Sequence, residues 1–476
     1  MIRHRLRVAG ALSATLLVAS CANTVTGTPM SVFGDPFSVA GLPAADGPTG
    51  LRDDAEPPNR DVTGTDGGEI DKLAASSVVD IEQFWESIWG RDFDGTFKPV
   101  KELVSWDSGG FDSQFCGNDT YGVVNAAFCV PQNTIGWDRG ELLPELRKAD
   151  GDIAVTMVLA HEYGHSVQKQ AKMVVSGTQT LVSEQQADCL SGVYMRWVAE
   201  GNSPRFTLST GDGLNSVLAA MISFRDPLFN ESDSEAVGNE HGSAFERISA
   251  FQFGFTDGPS SCAAINMTEI NGRRGDLPVL LPDGEEGELP VTERSVQSIV
   301  DAMGILFSPK DPPKLTFDRQ DCTDARIHAP VTYCPSRNTI VVDLPALASI
   351  GSASESRKRT GLVIGDNTAY SILVSRYMQA IQHERGVSLD TARAALRTAC
   401  LTGVATVKMS KPVTPSGGDT IQLTAGDIDE AVSGILVNGL AASDVNGDTV
   451  PAGFSRIDAF RVGVLGDEER CFKRFA

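Results

Sequence analysis

Val155-Thr156-Met157-Val158-Leu159-Ala160-His161-Glu162-Tyr163-Gly164-His165-Ser166-Val167-Gln168 is the stretch that decides the fold. Its apolar residues Val155, Val158, Leu159 and Val167 recur at helical spacing, and Asp152 just upstream is expected to cap the helix. His161 and His165 are four residues apart, so they share one face about one turn apart. Two imidazoles in that arrangement reach a single zinc ion, and Glu162 beside the first is placed to work on a water there.

Downstream, Ser183-Glu184-Gln185-Gln186-Ala187-Asp188-Cys189 opens a second predicted helix that runs to about Trp197. Glu184 and Asp188 are also four apart. A catalytic zinc usually has three protein ligands and one open position. One of these carboxylates therefore completes the set, and the other accepts the remaining ring N–H of a ligand histidine and fixes its tautomer. Further on stands Glu240-His241-Gly242-Ser243, ahead of Phe245 and Arg247. A histidine there is placed to donate to the oxyanion of peptide hydrolysis, so His241 is a second candidate catalytic residue beside Glu162.

These three motifs together resemble the bacterial family of neutral zinc metallopeptidases, over roughly residues 78–268. With its N-terminal leader the chain is similar to the actinobacterial lipoprotein peptidases of the LpqM type. The resemblance implies an α+β, zincin-like domain with gluzincin-like helices and a small sheet. It further implies one Zn2+ held by His161, His165 and Glu184, with Glu162 as general base and Asp188 behind the ligands. Gln185 departs from the family pattern, in which an apolar residue follows the ligand glutamate.

The motif region has a second, altered copy. Cys129-Val130-Pro131-Gln132-Asn133-Thr134-Ile135 matches Cys334-Pro335-Ser336-Arg337-Asn338-Thr339-Ile340, each after an earlier cysteine, Cys116 or Cys322. Cys189-Leu190-Ser191-Gly192-Val193 matches Cys400-Leu401-Thr402-Gly403-Val404. Arg247, Gly254 and Cys262 match Arg456, Gly463 and Cys471. The order and spacing imply a tandem duplication of a domain of about 190 residues. What the second copy lacks is the chemistry: His161, Glu162, His165, Glu184, Asp188 and His241 become Ser375, Arg376, Gln379, Ala395, Ala399 and Val450. A degenerate domain without a metal site is expected there.

The first residues read as an export signal. Arg3, Arg5 and Arg7 precede the short apolar run Val8–Val18, which ends at Ala19-Ser20-Cys21. Small residues before a cysteine form a lipoprotein signal, so Cys21 is expected to carry lipid and anchor the chain outside the cytoplasm. Of nine cysteines this leaves eight, four in each copy. The simplest pairing closes each copy alike: Cys116–Cys129, Cys189–Cys262, Cys322–Cys334 and Cys400–Cys471, with other symmetric pairings open.

The expected organisation is a signal over 1–21, a flexible Gly/Pro/Asp-rich tether over 22–75, a metallopeptidase domain over 76–270, a polar linker over 271–290 and the degenerate domain over 291–476. Asn133–Asp138 is a candidate edge strand beside the cleft, able to pair with an extended peptide. The net charge of −22 argues against nucleic acid, whose phosphates need clustered Lys and Arg. The implied partners are a protein or peptide substrate and, through the lipid, a membrane. The competing reading is a non-catalytic envelope binding or assembly protein with a structural zinc. Glu162 separates the two, because a structural zinc needs no carboxylate beside its first histidine.

Overall fold

The computed structural model describes residues 34–476 apart from 112, 234–239, 285–286 and 353–360. The expected signal and the lipidated Cys21 lie outside the described residues. Among the described residues, no helix is long and apolar enough to cross a membrane.

The architecture is mixed α+β. A long helix, α1 (Glu69–Asp92), opens the body. Leu73, Val78, Ile81, Phe84, Trp85, Ile88 and Trp89 recur every three or four residues and are buried, while Glu69 and Asp71 suit the positive end of its dipole. Four strands form one sheet: β1 (Val62–Thr63), which precedes α1, and after it β2 (Glu102–Trp106), β3 (Ala126–Cys129) and β4 (Thr134–Asp138). Their order is β1-β2-β4-β3, with β4 parallel to β2 and antiparallel to β3. The edge strand is therefore β3, not the Asn133–Asp138 segment expected from sequence, because β4 is hydrogen-bonded on both sides. Gly136 in β4 packs under aromatic rings: a Cβ there would lie 2.6 Å from Phe115 and 2.8 Å from Trp106.

Helices α2 (Asp152–Ala171), α3 (Thr180–Ala199), α4 (Asp212–Ser223) and α5 (Ala244–Asp257) carry or surround the motifs of the first half. Asp152 does not cap α2. The flanking residue is Gly151, at φ 81°, and the Asp152 carboxylate instead accepts from Arg147 at 2.7 Å. The second half has elements in a similar order. Strands β5 (Lys314–Thr316), β6 (Val331–Cys334) and β7 (Thr339–Val342) lie in the order β5-β7-β6, again one parallel and one antiparallel pairing. Cys129 faces Thr134 across one hairpin as Cys334 faces Thr339 across the other. Helices α6 (Asp366–Glu384), α7 (Ala392–Lys408), α8 (Asp427–Val437) and α9 (Gly453–Val464) follow. Sulfur bridges join Cys116 to Cys129, Cys189 to Cys262, Cys322 to Cys334 and Cys400 to Cys471.

Two expected connections are not loose. The described part of the tether, 34–68, runs along the body, and α1 starts within the range assigned to it. Gly50–Leu51 pairs with Phe206–Thr207, Val62–Thr63 joins the sheet, and Val39 is fully buried. Arg60 donates twice to Glu82, at 2.8 and 2.7 Å, and to the Val100 carbonyl. Two-residue strands carry no period, which is why this segment reads as a tether. The 271–290 linker begins inside the helix Met267–Arg274. Arg273 pairs with Glu269 and Arg274 with Glu246, and Leu281 is buried. The apolar interiors of both halves form one continuous core.

Candidate metal centre

Helix α2 presents His161 and His165 toward α3, which presents Glu184 and Asp188 back. The approach is close because Gly164 faces Ala187, where a Cβ would lie 3.0 Å from the Ala187 Cα. His161 Nε2 lies 3.1 Å from Glu184 Oε2, and His165 Nε2 lies 3.5 Å from Glu184 Oε1. Ligand atoms of these three side chains all fall within 4.8 Å of one another. The far nitrogens point away from this focus. His161 Nδ1 donates to Asp188 Oδ1 at 2.8 Å. His165 Nδ1 donates to Gln168 Oε1 at 3.0 Å, and Gln168 is itself oriented by donating to the Ser183 carbonyl at 2.5 Å. A carboxylate and an amide oxygen can only accept, so both rings carry a proton on Nδ1 and turn Nε2 to the focus.

The electrostatics favour positive charge there. Burial disfavours the His161 imidazolium, but Asp188 and Glu184 outweigh it and raise its pKa to about 10. Burial would raise Glu184; hydrogen bonds from His161 and His165 reverse this and hold it well below the carboxylate range. Two imidazole nitrogens and one carboxylate in a field that favours a cation suit zinc.

Asp188 is held from behind. Arg247 on α5 donates to it twice, Nε to Oδ2 at 2.9 Å and Nη2 to Oδ1 at 2.8 Å. Burial pushes Asp188 up, and Arg247 and His161 more than cancel this, so it stays ionised. Arg247 also donates to the Phe224 carbonyl. The guanidinium fork matches the carboxylate in two places, which fixes its orientation as well as its charge.

A cleft of about 420 Å³ opens over these groups. Asn125 to Phe128 form one wall, with Met157, Val158, Met221 and Phe224 around it. Glu162 lies in this cleft and accepts from the Phe128 N–H at 3.1 Å. Burial raises its pKa, opposed by the charges of His161 and His165. His241 lies on the far rim, its side chain half exposed. Asp226 Oδ2 accepts from the His241 and Gly242 N–H groups at 2.6 and 2.8 Å, and Oδ1 lies 3.2 Å from His241 Nδ1. The Asp226 hydrogen bond raises the pKa of His241 against the effect of burial.

The structure thus brings together His161, Glu162, His165, Glu184, Asp188 and His241. It adds three residues the sequence reading did not assign to the site: Gln168, Asp226 and Arg247. Gln168 sits three residues after His165 on the same helix, a spacing that could have found it. Asp226 and Arg247 reach the site only through tertiary contact. Gln185, the departure from the family pattern, is buried and accepts from Arg273.

The residues of the second half that match the motif by sequence carry other groups. Arg376, at the position of Glu162, is fully buried and donates to the Val331 carbonyl at 3.0 Å, Ser443 Oγ at 2.9 Å and the Leu440 carbonyl at 3.2 Å. Gln379, at the position of His165, donates to the Ser443 and Asp444 carbonyls at 3.1 and 3.0 Å. Val450 is buried. The guanidinium offers a metal no lone pair, and the buried Gln379 Oε1, which meets no donor, is a single neutral amide oxygen in place of two imidazoles and a carboxylate.

Comparison with known proteins bears on the first half. The chain is 28% identical over 195 residues to the uncharacterized protein YpfJ of Escherichia coli, in strain K12 and in strain O6:H1. The alignment covers 37% of this chain and 66% of the relative, just under two thirds of that protein's length. No solved structure matches. Residues 32–265, which contain every residue of this centre, match the family described as "Putative neutral zinc metallopeptidase".

Proposed function

We propose that the chain is a zinc-dependent endopeptidase of the LpqM type, acting on proteins or peptides at the outer face of the cytoplasmic membrane, to which a lipid on Cys21 anchors it. The observation that carries this is the convergence of His161, His165 and Glu184 on one point in a cleft that also holds the Glu162 carboxylate. The family match of the same segment supports it.

His161, His165 and Glu184 would hold one zinc ion, a Lewis acid that polarises a carbonyl and acidifies water. Asp188, kept ionised by Arg247, fixes the His161 ring and raises its basicity. Glu162, its pKa raised by burial, takes the proton of the attacking water and passes it to the leaving amine. His241, held by Asp226, donates to the oxyanion that forms on the carbonyl. The substrate lies along β3. The Asp138 N–H binds the Asn125 carbonyl, so alternation turns the peptide groups of Ala126 and Phe128 outward. The Phe128 N–H is taken by Glu162, which leaves Ala126 and the Phe128 carbonyl to pair with an extended chain. The second half is read as a duplicated copy whose catalytic positions became packing.

Replacing Glu162 by Gln tests the mechanism. The amide oxygen can still accept from Phe128, so fold and zinc content should be kept. Casein hydrolysis should fall by at least about 10²–10⁴-fold, the usual worth of a positioned base. Hydrolysis at the parent rate in a zinc-loaded Glu162→Gln protein would overturn the assignment. Expressed in a bacterium, the Cys21→Ala protein should move from the membrane fraction to the medium.

A further inference from the structure

Matching helices of the two halves cap each other, and the two caps are unequal. Helix α5 begins with four N–H groups that its own carbonyls cannot reach, and that of Ser243 goes to Glu246 Oε2 at 3.0 Å. Ser243 Oγ takes that of Glu246 at 3.3 Å. The other two are taken by the second half: Asp429 on α8 accepts from Ala244 through Oδ2 and from Phe245 through Oδ1, each at 2.9 Å. Asp429 is 3% exposed, so water does not compete for it. In the reverse direction Asn215 on α4 caps α9 with one bond, Gly453 N–H to Oδ1 at 3.0 Å. A negative charge at a helix N-terminus, with two hydrogen bonds, is the stronger of the two caps.

What each capped turn carries also differs. The first turn of α5 ends in Arg247, which clamps Asp188, which orients His161. The residues just before it are His241 and Gly242, pinned on Asp226. The first turn of α9 carries Arg456, whose guanidinium donates to the carbonyls of Ile435, Leu436 and Val450. One cap leads to the metal centre and the other to backbone.

We propose that the degenerate half acts as a covalently attached partner subunit, and that Asp429 is a positioning residue for the metal centre of the first half. This rests on the zinc-site reading above. Without the Asp429 carboxylate, Ala244 and Phe245 hold buried, unmatched N–H groups. The turn must then shift or fray toward other acceptors, and it takes Arg247 with it. Asp188 loses its fixed orientation, and His161 loses its fixed ring. The loss of active-site residues in the second copy then has a physical reading: its fold is kept because the first copy's site depends on it.

The test uses the full chain and zinc itself, measured by competition with a chromogenic chelator, with the Co(II) absorption spectrum and the melting temperature as parallel readouts. Loss of groups behind a metal ligand usually costs 10–100-fold in affinity. Asp429→Ala, one contact further out, should weaken zinc binding about tenfold and alter the cobalt spectrum. Asn215→Ala, which removes the reverse cap, should lower the melting temperature yet bind zinc like the parent. Asp429→Asn keeps one acceptor and turns an NH₂ group on the second N–H. It should weaken zinc binding in the same direction, and it decides the matter if Asp429→Ala does not fold. Parent-like zinc affinity in the folded Asp429 variants would overturn the proposal while leaving the zinc site standing. A parent that binds no zinc would overturn both.

Discussion

At the residue scale, the centre is built from charges that make sense only in pairs. Asp188 is fully buried, and an isolated carboxylate there would cost several kcal/mol or take up a proton. Arg247 on one side and His161 on the other keep it ionised. His241 works differently. Its side chain is half exposed and meets Asp226 at the rim, so it contributes little to packing. His241→Ala should therefore retain zinc and melting temperature and lose about a hundredfold in kcat, with KM little changed, as when one oxyanion donor is removed. Steady-state kinetics on a peptide substrate decide it; a kcat within a few fold of the parent would make His241 a bystander.

At the element scale, a pair of glycines in each half brings two helices into backbone contact. A Cβ on Gly254 of α5 would lie 1.8 Å from the Cys189 carbonyl oxygen of α3, and one on Gly192 would lie 2.2 Å from that of Phe251. Gly463 and Gly403 repeat this with the Cys400 and Phe460 carbonyls, at 1.8 and 2.2 Å. The obstacle is backbone, which cannot rotate away. Gly254→Ala must push α5 from α3, at a cost of about 1–3 kcal/mol or more. Because α3 carries Glu184 and Asp188, the same change should also weaken zinc binding, whereas Gly463→Ala should cost similar stability with zinc affinity unchanged. Urea unfolding and chelator titration of the two variants separate the effects; identical behaviour in both assays would show that the α3–α5 contact does not set the ligand geometry.

At the scale of the whole molecule, the junction of the halves holds an unusual store of carboxylic acids. Glu288, from the connecting segment, meets Asp366 at the start of α6 and Glu430 on α8, with carboxylate oxygens within 4.8 Å of one another. Burial, and next the Glu288 charge, push Asp366 up to about 7 despite hydrogen bonds from the Leu289 and Asn367 backbone, and Glu430 is raised as well. The folded chain thus holds a proton on Asp366 that the unfolded chain releases near the ordinary value of 3.8. Its contribution to stability is complete below about pH 4 and is lost as pH rises through about 7. Asp366→Asn, which can still accept from Leu289, should melt close to the parent at about pH 4 and above it at about pH 8. A melting-temperature difference that does not change with pH would contradict this.

The local intervals were legible in the chain by itself. His161 and His165 are four positions apart, as are Glu184 and Asp188, and a helix turns just over once in that distance, so each pair shares a face before any fold is known. The matching spacing of cysteines and glycines in the two halves was also legible, because both stretches stand in one sequence and can be compared directly. What the tertiary structure decided depends on residues far apart in the chain: Arg247 on Asp188, Asp226 on His241 and Asp429 on α5. No periodicity links such residues. The edge position of β3 was hidden for a related reason. Strands β3 and β4 are both short, apolar and flanked by turns, and only the parallel partner β2 shows which of them has a free side. The packing of residues 34–68 was hidden because two-residue strands have no period to read, and their partners lie as far as 417 residues away.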